Sequence, residues 1–328
     1  MRAAVVRAFG PPESMVVDER ATPSPGPGEI AARVDAAGVN FADLLMIAGK
    51  YQIKPPLPFV PGLEFCGTIT AVGHGVTRWH PGDRVMGAPL GGGCFADAVT
   101  APADQVFRAP GSLPDELAAQ FVVAYGTAAF ALKTARLQPG ETVLVSGAGG
   151  GVGIAAIDIA SRMGAHVIAA AGSSEKLRAA RAHGALATVD TEVEPIREAV
   201  QALTEGRGAD VVLDTVGGAF FDAALRSTAR HGRLLVVGFA SGSPPRIPAE
   251  YLLIKNLSVL GIGFGGVLQS QPQHVEAVLE ELIALHAQRP FAAEIDGRFA
   301  LEEIPLALAR LASRRVVGKQ LVIPRLER

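Results

Sequence analysis

Cysteine is almost absent from this chain of 328 residues: there are two, Cys66 and Cys94. Two cysteines give neither a disulfide framework nor a zinc cluster. A reducing, cytoplasmic setting is therefore the expectation. Charge imbalance is absent too. Thirty Lys and Arg stand against 32 Asp and Glu, a net charge of −2. No field of either sign draws nucleic acid or an anionic membrane. No apolar run is expected to reach a membrane span; Leu252–Leu268 comes nearest but carries Lys255, Asn256 and five glycines or serines. The opening MRAAVVRAFGPPES has no long apolar core or cleavage-like site and reads as a first strand, not a signal peptide. Internal repeats and low-complexity tracts are also missing. What remains is an ordinary globular composition, 49% hydrophobic and 19% charged, on a chain long enough for two domains.

The first 120 or so residues are strand-like and rich in turns. Ala3–Arg7, Glu29–Ala37, Gly67–Val72 and Arg84–Gly87 are short β-prone runs separated by Pro and Gly clusters. That texture predicts a mostly β, barrel-like domain. Asp115–Leu137 is Ala-rich and helical in pattern, with acids in its first turn. From Thr142 onward strands and helices alternate. Strands are expected at Thr142–Ser146, His166–Ala171, Ala187–Asp190, Asp210–Asp214, Leu234–Gly238 and Ser258–Ile262. Continuous apolar runs such as VVLD and LLVVG suit strands buried on both faces. The pattern is that of a doubly wound parallel sheet. Gln271–Gln288 reads as an amphipathic helix, and Phe291–Pro324 returns to strand, helix, strand. The expected layout is an α/β cofactor domain, residues 124–266, inserted in a substrate domain built from residues 1–123 and 267–328.

The densest signal is ETVLVSGAGGGVG, a strand running into a glycine turn that opens a helix. Its spacing is G-x-x-G-x-x-G through Gly147, Gly150 and Gly153. Glycine lets the backbone turn tightly and approach a pyrophosphate, and the helix start presents free N–H groups to that anion. An Asp or Glu for the ribose is expected about 20 residues on, at the end of the next strand. Here the loop is Ala171-Gly172-Ser173-Ser174-Glu175-Lys176. Glu175 lies beyond the strand end, beside Lys176. Small residues, hydroxyls and a lysine suit a 2′-phosphate better than a free 2′-hydroxyl, so the expected cofactor is NADPH.

A second dense segment, Ala37–Gly67, sets Asn40, Asp43, Tyr51 and Glu64 among glycines and prolines. A tyrosine hydroxyl can donate to a developing oxyanion. An asparagine amide can orient a carboxamide or carbonyl. The plainer alternatives stand beside these: Tyr51 packed with its hydroxyl at the surface, Asn40 capping a helix, Asp43 in that helix's first turn.

Asn40-Phe41-x-Asp43, Gly49-x-Tyr51, Leu57-Pro58-Phe59-x-Pro61-Gly62-x-Glu64 and Gly82-Asp83-Arg84-Val85 together resemble the zinc-independent quinone oxidoreductases. These are zeta-crystallin-like members of the medium-chain dehydrogenase/reductase superfamily. The resemblance continues through Thr127, the glycine turn, Lys176, Asp214–Gly218 and Gly238, over essentially the whole chain. It implies a Rossmann sheet inserted in a GroES-like domain. The superfamily's zinc alcohol dehydrogenases are similar too, but Asn40 stands for their first cysteine and Leu63 for their histidine. Nothing around Gly91–Cys94 matches their four-cysteine lobe. No metal is expected.

The resemblance assigns Asn40 and Tyr51 to the neighbourhood of the nicotinamide, Tyr51 polarising the acceptor or donating a proton and Asp43 orienting its neighbours. It gives Thr127 a bond near the nicotinamide, and gives the pyrophosphate to Gly150, Gly151, Val152 and Gly153. Ser173 and Lys176 would take the 2′-phosphate, while Gly238 and Phe239 would end the fifth strand at the cleft edge where ligands sit in such sheets, with Phe264 lining that same pocket. Some relatives carry a tyrosine after the third strand that touches this phosphate; here Asp190-Thr191 stands there, and an inward Asp190 would oppose a phosphate. Phe130 brings no hydroxyl near Thr127. The implied activity is NADPH-dependent reduction of quinones or other conjugated carbonyls without metal. Two alternatives stay open: an enoyl-thioester or 2-alkenal reductase, with Arg246 and Lys255 as a basic rim, or a non-catalytic NADPH-binding sensor or crystallin-like protein. A pocket around Tyr51, Tyr125, Tyr251 and Phe264 would separate the substrates. The open edge strand Ser258–Ile262 predicts a homodimer.

Overall fold

The computed structural model describes residues 1–326. The chain divides into two units: Met1–Val123 together with the chain from Gly265 on, and Ala124–Phe264. In chain order the first unit holds β1 (Arg2–Val5), β2 (Val16–Glu19), β3 (Glu29–Gly38), α1 (Phe41–Ile47), β4 (Phe65–Val72), β5 (Arg84–Gly87), β6 (Ala98–Pro102), β7 (Val106–Arg108) and α2 (Asp115–Gln120). A π-helical turn, Phe121–Tyr125, leads into α3 (Gly126–Thr134). The second unit then alternates β8 (Thr142–Val145), α4 (Gly151–Arg162), β9 (His166–Ala171), α5 (Ser174–Ala182), β10 (Ala187–Asp190), α6 (Ile196–Leu203), β11 (Ala209–Asp214), α7 (Gly218–Ser227), β12 (Thr228–Val236), α8 (Ala249–Lys255) and β13 (Ser258–Gly261). After α9 (Phe264–Ser270) and α10 (Pro272–Gln288) the first unit closes with β14 (Ile295–Phe299), α11 (Ile304–Ala312) and β15 (Lys319–Val322).

The second unit is a parallel sheet in the order β10-β9-β8-β11-β12-β13. The order reverses between β8 and β11, the switch point beside which such sheets bind ligands. All four residues of β8 are buried. Helices cover both faces, α3 packing on α4 and α6 on α7, so neither face of the strand meets water. Leu144, Val212, Leu234 and Phe221 share one core cluster.

The first unit's sheet runs β14-β15-β3-β4-β5-β7, with β6 also on β3. It is antiparallel except for β14 and β15, which α11 joins as a crossover. Its core gathers Ile30, Phe65, Trp79 and Phe95, and α1 adds Met46 and Ile47. β15 is buried along its length and pairs with the end of β3, Leu321 opposite Gly38. That pairing brings the opening lysine of β15 beside the residues that precede α1.

Several expectations are corrected. The fifth strand of the parallel sheet starts earlier than its apolar run and stops at Val236, so Gly238 lies in the loop beyond it. The helix expected over 115–137 contains the π turn and ends at Thr134. That run, Asp115–Thr134, is also long and apolar enough by composition to cross a membrane, although 78% of its apolar window is buried. Its small residues hide it from a search for bulky apolar stretches.

Candidate functional site

The glycine turn is built by backbone contact. Gly147 has a φ of +55°, a region glycine enters without a β-carbon penalty. A Cβ there would lie 2.5 Å from Thr215 Oγ1, and one on Gly153 would lie 2.3 Å from the Gly147 carbonyl oxygen. Both positions are closed to any side chain. Gly150, the N-cap of α4, differs: a Cβ there would meet nothing nearer than 3.4 Å. The protein itself leaves that side open. Gly151, Val152 and Gly153 form the first turn of α4, whose amides lack the usual carbonyl four residues back. With the positive end of the helix dipole they fit a pyrophosphate.

Asp214 braces this turn. Ser146 Oγ donates to its Oδ1 at 2.8 Å, and the amides of Val216 and Gly217 donate at 2.8 and 3.1 Å. The Thr215 amide in turn donates to Ser146 Oγ at 2.8 Å. Burial pushes the Asp214 carboxyl above its ordinary value, against the pull of these bonds. Ser173 caps α5, its Oγ accepting from the Lys176 amide at 3.4 Å. The Lys176 stem lies over Gly149, where a Cβ would meet its Cγ at 2.4 Å. Ser173, Lys176 and the glycine turn are therefore one continuous surface.

The remaining predicted residues of this unit range from buried to exposed. Thr127 is buried on α3. Phe264 packs on Phe130, ring centroids 6.1 Å apart, and closes over Gly126. Gly238 donates its amide to the Asp214 carbonyl at 3.3 Å, and Phe239 beside it is exposed. Tyr125 is buried and donates to Asp158 at 3.0 Å. The Lys255 ammonium donates to the carbonyls of Arg226 and Thr228 at 2.7 and 2.8 Å.

In the first unit Asn40 and Tyr51 flank α1. Asp43 Oδ2 accepts from the Asn40 amide at 2.7 Å, which caps the helix. The Asn40 side chain works elsewhere. Its Nδ2 donates to the Gly38 carbonyl at 3.2 Å and to Glu64 Oε1 at 2.9 Å. Its Oδ1 accepts from Lys319 Nζ at 2.6 Å, and the same ammonium donates to Glu64 Oε1 at 2.5 Å. Glu64 Oε2 accepts from the Val123 amide at 3.0 Å. The Lys319 and Glu64 side chains are 5% and 1% exposed. Gly38 makes room: a Cβ there would sit 2.6 Å from Glu64 Oε1 and 2.9 Å from Lys319 Cε.

Sequence reasoning named Asn40, Asp43 and Glu64 in this cluster and missed Lys319. Its one local signal is a lysine at the head of an apolar strand. The cluster also narrows what Asn40 can do. Both Nδ2 hydrogens are engaged, so a bound carbonyl could receive one only if a bond broke. Oδ1 keeps one lone pair for a donor.

Asp43 is fully buried, and burial pushes its carboxyl up to about 7, with Lys319 pulling the other way. Tyr51 follows the end of α1, its amide donating to the Leu45 carbonyl at 3.1 Å. The ring packs partly against the core. Burial first, then the charge of Asp43, raises its phenol. Tyr51 therefore keeps its proton at neutral pH and can act as a donor. Among the described residues no three His, Cys, Asp or Glu side chains are grouped to hold a metal ion.

Comparison with known proteins gives these arrangements a context. Residues 26–111 match the alcohol dehydrogenase GroES-like domain, and residues 151–284 match the zinc-binding dehydrogenase domain. The chain is 39% identical over 327 residues to a quinone oxidoreductase-like protein 2 homolog from Nematostella vectensis, covering 98% of this chain and 88% of that one. A quinone oxidoreductase structure from Pseudomonas syringae superposes with a TM-score of 0.92 at 30% identity, over 98% of this chain and 99% of that one. The Escherichia coli quinone oxidoreductase, solved with NADPH, gives 0.91 at 27% identity over 99% and 100%. Two domain matches in order, a glycine turn at the switch point and full-length likeness agree: the chain belongs to the quinone oxidoreductase family of the medium-chain dehydrogenase/reductases, a family of oxidoreductases.

Proposed function

We propose that this protein reduces quinones or other conjugated carbonyls with NADPH and without a metal ion. The observation that carries the reading is the Lys319–Glu64–Asn40 cluster. Asn40 and Leu63 stand where zinc relatives place a cysteine and a histidine. A buried ammonium lies 2.6 Å from Asn40 Oδ1 and 2.5 Å from Glu64 Oε1. A divalent cation at the same point would meet a like charge in a poorly solvated setting.

Metal-free chemistry favours an acceptor that already delocalises charge onto oxygen, since an unactivated carbonyl needs a Lewis acid. NADPH, when bound, contributes the hydride. The glycine turn and the first turn of α4 would hold its pyrophosphate, and Ser173 and Lys176 its 2′-phosphate. Tyr51, a phenol protonated at neutral pH, would donate its O–H to the acceptor oxygen as negative charge develops there. Lys319 and Glu64 would fix Asn40, leaving its Oδ1 to receive a donor from the ligand. The same reading takes the protein to be a cytoplasmic homodimer paired through β13.

The test is NADPH oxidation against a panel of 1,4-quinones, 2-alkenals and enoyl thioesters, with product analysis and elemental analysis for zinc. Turnover with quinones is expected, and Tyr51→Phe should lower kcat by about 100-fold at unchanged NADPH affinity. Oxidation by enoyl thioesters alone would move the assignment to that class. Stoichiometric zinc, or no turnover with any acceptor, would overturn it.

A further inference from the structure

Of the three acids at and just beyond the end of β10, Asp190, Glu192 and Glu194, two are engaged in shaping their own loop. Asp190 Oδ1 accepts from the Glu192 amide at 3.0 Å, and the Asp190 amide donates to Glu194 Oε1 at 2.9 Å. Asp190, the acid the sequence singled out, therefore serves a turn. Glu192 reaches back instead. Its Oε1 lies 2.9 Å and its Cγ 3.2 Å from where a Cβ on Gly172 would stand. Thr191 holds the loop there, its amide donating to the Ala171 carbonyl at 3.1 Å.

Gly172 sits between the end of β9 and Ser173, the cap of α5. In dinucleotide-binding units of this order an acid at that strand end binds the ribose 2′-hydroxyl. β9 itself brings none. We propose that Glu192 lends this carboxylate from the neighbouring strand's loop, so that the seat accepts NADH as well as NADPH. This rests on the nucleotide seat proposed above. Glu192 faces a free 2′-hydroxyl as an acceptor, while Lys176 and Ser173 face a 2′-phosphate as donors. Because Gly172 has no side chain, the carboxylate lies against the backbone at this point. The two demands oppose each other: the charge that helps one nucleotide repels the other's phosphate.

The experiment is direct binding of NADPH and NADH, by nicotinamide fluorescence and calorimetry, to wild type and three variants. Wild type is expected to bind both within about tenfold of each other. Glu192→Gln keeps an acceptor and removes the charge, so NADPH should bind about fivefold tighter with NADH little changed. Glu192→Ala should also weaken NADH. Lys176→Ala should weaken NADPH alone. The gain in Glu192→Gln should shrink at high salt, since the removed repulsion is between exposed charges. An unchanged nucleotide ratio in both Glu192 variants overturns the proposal, as does a wild-type preference for NADPH beyond about 100-fold. Failure of wild type to bind either nucleotide overturns the seat itself, and this inference with it.

Discussion

A lysine inside a protein needs its charge matched. Lys319 meets that need through Glu64 and Asn40, and the consequence is measurable. Lys319→Met would leave the Glu64 carboxylate buried beside a thioether, at a cost of about 3–5 kcal/mol in urea denaturation. The double variant Lys319→Met with Glu64→Gln carries no charge at either position and should recover most of that loss. If the double variant is no more stable than the single one, the ion pair is not what Glu64 requires. Asp43 gives a second prediction at the same scale. Its carboxyl is raised to about 7 in the folded chain, against about 3.9 when unfolded. The folded state thus binds this proton more tightly. The stability it contributes is complete below about pH 4 and lost as the pH rises through about 7. Asp43→Asn, compared with wild type across that window, should flatten the decline. Parallel curves for the two proteins would mean that Asp43 is ionised throughout.

The glycine turn separates what a fold requires from what a ligand requires. Gly153→Ala would drive a Cβ to 2.3 Å from the Gly147 carbonyl, so stability and nucleotide binding should both fall. Gly150→Ala meets nothing closer than 3.4 Å; thermal stability should hold while nucleotide affinity drops about tenfold or more, because only the incoming phosphate needs that space. Equal losses of stability in the two variants would refute the distinction. The turn was visible in the sequence because glycine spacing and strand–helix order are local. So were β5, β9 and β10, whose apolar runs end where their strands do. β12 was only half visible. Its first part, Thr-Ala-Arg-His-Gly-Arg, is polar, and pairing of Thr228 with Ala209 of β11 makes it a strand. β2, the partly exposed run VVDE, exists through its register on β1. Lys319 beside Asn40 and Glu192 beside Gly172 were hidden for the same reason: a contact between distant segments leaves no pattern in either one.

Across the molecule, the parallel sheet ends in two unlike edges. β10 carries Thr188 tied to Arg181, ends on Asp190 and is followed by Glu192 and Glu194. Such charge guards an edge against pairing. β13 is Ser-Val-Leu-Gly, paired among the described residues with β12 and no other strand, and has no charge to repel a twin. The helix before it, α8, leaves Leu253 79% and Ile254 62% exposed. An open apolar edge beside two large bare side chains is unfavourable in water and self-complementary about a two-fold axis. Sedimentation should therefore find twice the mass of one chain. Replacing Leu253 and Ile254 together by Glu should give monomers that keep the helical and strand signal of the wild type, since neither side chain is buried within its own fold. Charge placed instead on the exposed Val193, after β10, should leave the dimer intact. A wild type that sediments as a single chain, or a dimer broken by the Val193 change and not by the α8 changes, would move the interface away from β13.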